Sequence, residues 1–116
     1  MPLVPSLALI VEDDPLQREV LAEMMGSANL DVISCASAAA AELIISKIAP
    51  ELRLVVIDLW LGGECIGSEL AWFARQRAPG ACLLIISGDE EARIPPGSRR
   101  LRKPYRPADV LQAVAA

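Results

Sequence analysis

Leu54-Val55-Val56-Ile57-Asp58 sets a carboxylate directly behind four consecutive apolar residues. A strand with one face in water alternates apolar and polar side chains, whereas a strand covered on both faces of a parallel sheet is apolar throughout. Leu7-Ala8-Leu9-Ile10-Val11 upstream and Cys82-Leu83-Leu84-Ile85-Ile86 downstream read the same way, so three central strands are predicted. Residues 30–36 mix Asp31 and Ser34 among apolar positions, and residues 99–103 are mostly charged. Both fit the edges of a sheet.

The segments between these runs carry helical signals. Pro15 behind Asp14 suits a first helical position, and Leu16, Val20, Leu21, Met24 and Met25 are read as one apolar stripe running to Gly26. Ser37 can cap an alanine-rich helix whose Leu43, Ile44 and Ile48 are expected to face inward ahead of Pro50. Residues 68–77 carry Leu70, Phe73 and Ala74 before Pro79-Gly80, and a last helix begins near Pro107 with Val110, Leu111 and Val114 apolar. The fourth crossover offers only residues 89–94 before Pro95-Pro96, room for about one and a half helical turns. Its helix is expected to be short or missing. Alternating strands and helices imply right-handed βαβ units, hence a doubly wound α/β domain built on a five-stranded parallel sheet.

With 116 residues, 53% of them hydrophobic, the chain reads as a single domain over 1–116 with enough apolar material for its own core. Eleven Lys and Arg against fifteen Asp and Glu leave a net charge of −4, which disfavours direct nucleic acid binding. The absence of histidine removes imidazole bases, histidine metal ligands and a phosphorylatable histidine. Three cysteines without a CxxC spacing suit packing in a reducing compartment. The apolar start lacks a basic segment and runs into Glu12-Asp13-Asp14, unlike a signal peptide, and no uncharged stretch has the length of a membrane span. No membrane insertion and a cytoplasmic location are expected.

In doubly wound sheets ligands gather at the carboxyl ends of the strands. Here those ends are Glu12-Asp13-Asp14, Asp58, Ser87-Gly88 and Lys103-Pro104. Singly, each has a structural explanation: acids complement a helix start, Ser and Gly suit a turn, and a lysine guards an edge strand. Asp58 resists this treatment, because turn chemistry requires no carboxylate there. Two carboxylates about 4 Å apart repel by roughly 4 kcal/mol at an effective dielectric of 20, so such a cluster calls for a cation.

Leu9-Ile10-Val11-Glu12-Asp13-Asp14-Pro15, Val56-Ile57-Asp58-Leu59, Ile86-Ser87-Gly88 and Lys103-Pro104-Tyr105, in this order, resemble the response-regulator receiver domain of two-component signalling. The resemblance covers essentially the whole chain. It implies the flavodoxin-like strand order 2-1-3-4-5, with Asp58 as phosphoacceptor and Mg²⁺ held by Asp13, Asp58, the Trp60 backbone carbonyl and, through water, Glu12. It further implies that Ser87 and Lys103 contact the phosphoryl group, and that a cis Lys103-Pro104 peptide aims the lysine. A histidine kinase or phosphotransfer protein would be the donor, and a downstream protein partner, not readable from the sequence, would receive the signal. Catalysis would be confined to self-phosphorylation and loss of the phosphoryl group.

The chain departs from the family in three places. The loop 59–67 has glycine where many receivers have proline and is slightly longer; the fourth helix is short or missing; and Arg100 replaces the switch aromatic three residues before Lys103. Arg93, Arg99, Arg100, Arg102, Lys103 and Arg106 also crowd together, which fits either a partner-docking patch or protection of an exposed edge strand. The alternative to phosphorelay is a non-phosphorylated receiver-like interaction module. A phosphohydrolase of the haloacid dehalogenase type would need a second acid two residues after Asp58, where this chain has Trp60.

Overall fold

The computed structural model describes residues 6–88 and 92–115. Five strands, β1 (Leu7–Val11), β2 (Asp31–Cys35), β3 (Leu52–Asp58), β4 (Cys82–Ser87) and β5 (Arg99–Arg102), form one parallel sheet in the order 2-1-3-4-5. Helices α1 (Pro15–Ser27), α2 (Ala38–Ile48), α3 (Gly67–Arg77) and α4 (Pro107–Ala115) complete the chain, with a short 3-10 turn at Ala49–Glu51. This is the expected doubly wound architecture, with the edge strands where residue charge placed them.

The continuous apolar runs divide by their period of two. Leu9, Val11, Val55, Ile57, Leu83 and Ile85 face a core completed by Ala41 and Ile45 of α2 and by Leu70, Ala71 and Ala74 of α3. Ala8, Ile10, Leu54, Val56, Leu84 and Ile86 face the opposite core with Leu21 and Met25 of α1 and Val110 of α4. At about 1.5–3 kcal/mol for each large side chain buried, these two layers are the main source of stability and hold the strand ends rigidly.

The helix ends follow local chemistry. Asp14 caps α1, its Oδ1 accepting from the amides of Leu16 (2.9 Å) and Gln17 (3.2 Å), and Ser37 caps α2 by accepting from the Ala40 amide at 3.1 Å. The apolar stripes expected of α1 and α2 are corrected. Leu16 is 71% and Leu43 65% exposed, and Val20 also reaches solvent. At about 100° per residue, Leu16 stands roughly 140° from Leu21, and Leu43 lies opposite the buried Ala41 and Ile45. The true stripes are narrower than apolar content suggested.

Of the segment expected to hold a short helix or none, residues 89–91 lie outside the described residues. The described remainder, from Ala92 to the start of β5, contains no helix. Arg99 donates to the Ala113 carbonyl of α4 and Arg100 to the Ala92 carbonyl (3.0 Å), so two of the clustered arginines satisfy the chain's own main chain. Arg100 is exposed.

Candidate functional site

Parallel strands of similar register bring β1, β3, β4 and β5 to one edge, with Asp58 opposite Ile86 and Ser87 opposite Arg102. Glu12, Asp58 and Ser87 are the buried polar side chains among the described residues, at 3%, 2% and 2% exposure. All three are predicted site residues. Burying a carboxylate is costly unless it is paired and hydrogen-bonded, and Asp58 meets both conditions. Its Oδ2 takes the ammonium of Lys103 at 2.7 Å, and its Oδ1 accepts from the Trp60 amide at 3.0 Å. Lys103 follows β5 directly, its amide donating to the Ser87 carbonyl at 3.0 Å, and its peptide bond to Pro104 is cis.

The acidic loop is tied down on several sides. The Glu12 amide donates to Cys35 of β2 at 3.1 Å, while the Glu12 carboxylate accepts from the Asp14 amide at 3.1 Å. Burial first, and then its hydrogen bond with Asp58, push the Glu12 carboxyl up to about 8. Near neutral pH and without a cation it therefore keeps a proton. Asp13 is exposed, and the Gly62 amide, donating to its Oδ2 at 3.0 Å, holds it below the usual carboxylate range.

Gly62 reaches Asp13 because the loop after β3 folds into a miniature hairpin. Leu61 and Glu64 exchange both main-chain hydrogen bonds, at 2.8 and 3.1 Å, and Gly62 (φ 62°) and Gly63 (φ 80°) form the two-residue turn. Positive φ at both central positions is the type I′ requirement that glycine meets without strain. The altered loop thus supplies a main-chain donor to the acidic pair. Trp60, at its base, is half exposed.

Three contributors escaped the sequence reading. Arg18 of α1 donates to the carbonyls of Glu12 (2.9 Å) and Asp13 (3.4 Å). The Gly62 amide is the second, although Gly-Gly between Leu61 and Glu64 is a hairpin signal that spacing alone could have raised. The third is Gly67, at the start of α3, where the helix passes against the Asp58–Leu59 main chain.

In donor chemistry the carboxylates of Asp13 and Asp58 and the main-chain carbonyl of Trp60, all oxygen, suit a hard divalent cation. Among the described residues no three His, Cys, Asp or Glu side chains gather into a closed ligand set. That is compatible with Mg²⁺, which keeps several waters and takes only one or two carboxylates. Among the described residues no helix is long and apolar enough to cross a membrane.

No protein-family model matches the chain. The transcriptional regulatory protein AruR of Pseudomonas aeruginosa is 32% identical over 94 residues, which span 78% of this chain but 38% of AruR. A response regulator receiver protein from Sinorhizobium medicae has the same fold at a TM-score of 0.87, with 24% identity over 98% of this chain and 94% of the other. The receiver domain of the hybrid histidine kinase CckA gives 0.81 and 26% over 95% and 96%. A Burkholderia pseudomallei response regulator, crystallised with a phosphorylated aspartic acid, calcium ion and citrate, gives 0.77 and 19% over 93% and 65%.

Proposed function

We propose that this chain, a response-regulator receiver domain in fold, takes a phosphoryl group onto the Asp58 carboxylate from a phosphohistidine of a histidine kinase or phosphotransfer protein. The observation that carries this reading is the buried Asp58 paired with Lys103 at 2.7 Å beside the Glu12–Asp13 loop. A carboxylate buried against a lysine that still reaches solvent is a weak source of stability, so a charged cluster at the carboxyl edge of such a sheet is better explained by chemistry than by folding.

In the transfer an Asp58 oxygen forms the O–P bond as the histidine N–P bond breaks, and the departing imidazole nitrogen keeps the bonding pair. The Trp60 amide holds one Asp58 oxygen, which orients the other for in-line attack. Lys103 then shifts its ammonium from carboxylate to phosphoryl oxygen, and the Ser87 hydroxyl donates to another. Asp13, Asp58 and the Trp60 carbonyl would hold Mg²⁺, with Glu12 acting through water; the ion supplies positive charge to the phosphoryl oxygens. Turnover of an outside substrate is not part of this reading, and a downstream protein that senses the altered loops completes it. Three free cysteines among the described residues, Cys65 of them exposed, suit a reducing cytoplasm.

Intact mass after exposure to Mg²⁺ and either a small acyl phosphate or a phosphohistidine protein tests the reading. One added phosphoryl group, lost when the metal is chelated beforehand, is the expected result. No addition from either donor would favour the non-phosphorylated interaction module, and addition that survives chelation would overturn the metal requirement.

Trp60 governs how long the mark lasts. In the resembled family the side chain two residues past the phosphoacceptor borders the path of the hydrolytic water, and here it is a large indole on a main chain pinned to Asp58. Trp60→Asn is expected to shorten the phosphorylated lifetime several-fold, followed by mass against time. An unchanged or longer lifetime would count against shielding.

A further inference from the structure

The main-chain carbonyls of Glu12 and Asp13 are drawn together by one side chain from the second turn of α1. Arg18 Nη1 donates to the Glu12 oxygen at 2.9 Å and reaches the Asp13 oxygen at 3.4 Å. Asp14 caps the same helix, and the helical bond from the Arg18 amide to the Asp14 carbonyl (2.9 Å) locks the base of the arginine. Arg18 is half-buried and hydrogen-bonds to carbonyls of the loop rather than to its carboxylates. We propose that Arg18 is a positioning residue for the cation site, a clasp that fixes the Glu12–Asp13 backbone so that both carboxylates stay aimed beside Asp58. The inference rests on the receiver reading above and adds a residue to its metal site.

Two physical effects of this guanidinium oppose each other, and the sign of the outcome separates them. As a positive charge near a divalent cation it repels the ion, so its removal would tighten binding if charge dominated. As a clasp it removes freedom from a loop whose carboxylates must otherwise be ordered when the ion arrives, so its removal would weaken binding. Screening favours the clasp, because the half-exposed charge acts through solvent with a Debye length of about 8 Å at physiological salt. The hydrogen bonds are unaffected by that screening length. Outer-shell partners of metal ligands typically contribute about 10–100-fold in affinity.

Arg18→Met keeps the apolar stem and deletes the Nη1 donor and with it both contacts, whereas Arg18→Lys keeps the charge on a compact ammonium without the planar fork. Mg²⁺ affinity is read from Trp60 fluorescence in a Trp72→Phe background, since the chain has two tryptophans. Arg18→Met is expected to bind Mg²⁺ about tenfold more weakly, with Arg18→Lys between it and the parent. In the metal-free proteins, amide exchange at Asp13 and Asp14 should accelerate in Arg18→Met while β1 and β3 stay protected, which separates a loosened loop from a destabilised fold. Equal or tighter Mg²⁺ binding by Arg18→Met, or unchanged exchange in the loop, overturns the clasp. Failure of the parent itself to bind Mg²⁺ overturns the metal site and the clasp together, so the two failures are distinguishable.

Discussion

Asp58→Asn is expected to leave the chain unlabelled by a small acyl phosphate in Mg²⁺ under conditions that label the unaltered protein. The effect is large because one atom type carries the chemistry. A carboxamide offers no carboxylate oxygen to form the acyl phosphate, and no second carboxylate occupies the same place: Glu12, its buried neighbour, belongs to the loop after β1 and is held there by the Asp14 amide. The replacement also disturbs the geometry. Both Asp58 oxygens now face donors, the Trp60 amide and the Lys103 ammonium, so an amide NH₂ must oppose one of them. Intact mass before and after labelling decides the matter, and labelling of Asp58→Asn at the parent level would refute the phosphoacceptor assignment.

Gly67→Ala is expected to lower the melting temperature by roughly 5–15 °C, corresponding to an overpacking cost of about 1–3 kcal/mol. A β-carbon at Gly67 would stand 2.5 Å from the Asp58 carbonyl oxygen and 2.5 Å from the Leu59 α-carbon. Both are main-chain atoms at the carboxyl end of β3, one in Asp58 and one in the residue after it, so no rotamer change relieves the clash. The Gly67 amide meanwhile donates to the Leu59 carbonyl at 3.0 Å, so α3 cannot simply move away without losing that bond. Labelling of Asp58 should slow as well, because the main chain that must yield is the one that aims the carboxylate. Thermal unfolding that matches the parent would show that α3 shifts freely at this point. Gly62 and Gly63 differ in kind: a β-carbon there meets nothing within 4 Å, and their cost would come from positive φ.

Arg100, where a switch aromatic stands in the resembled family, is exposed and bonded to the Ala92 carbonyl. Drawing a guanidinium inward requires stripping its water, at a cost of several kcal/mol unless it finds a partner. The Gly-Gly hairpin already touches Asp13 through the Gly62 amide, so the loop beside the site is the nearer route for a change in charge at Asp58 to reach the surface.

Several features were determined by the sequence itself. Continuous apolar runs such as Leu83-Leu84-Ile85-Ile86 require cover on both faces, which dictates central parallel strands and crossover helices whatever the details of packing. The polar residues ending those runs must then meet at one edge, which is why Glu12, Asp58, Ser87 and Lys103 were legible as a site before any coordinate. Tertiary structure decided what depends on angle and approach between segments distant in the chain. Leu16 and Leu43 are apolar yet exposed, because helical phase against the sheet, rather than apolarity, selects the buried stripe. The Gly62 amide reaches Asp13 across 49 residues, and Gly67 is required because α3 crosses β3 too closely for a β-carbon. Nothing in the sequence marks Arg18. It became a clasp only when the turn from β1 into α1 presented two carbonyls to its guanidinium, since a main-chain oxygen carries no side-chain identity for the sequence to announce.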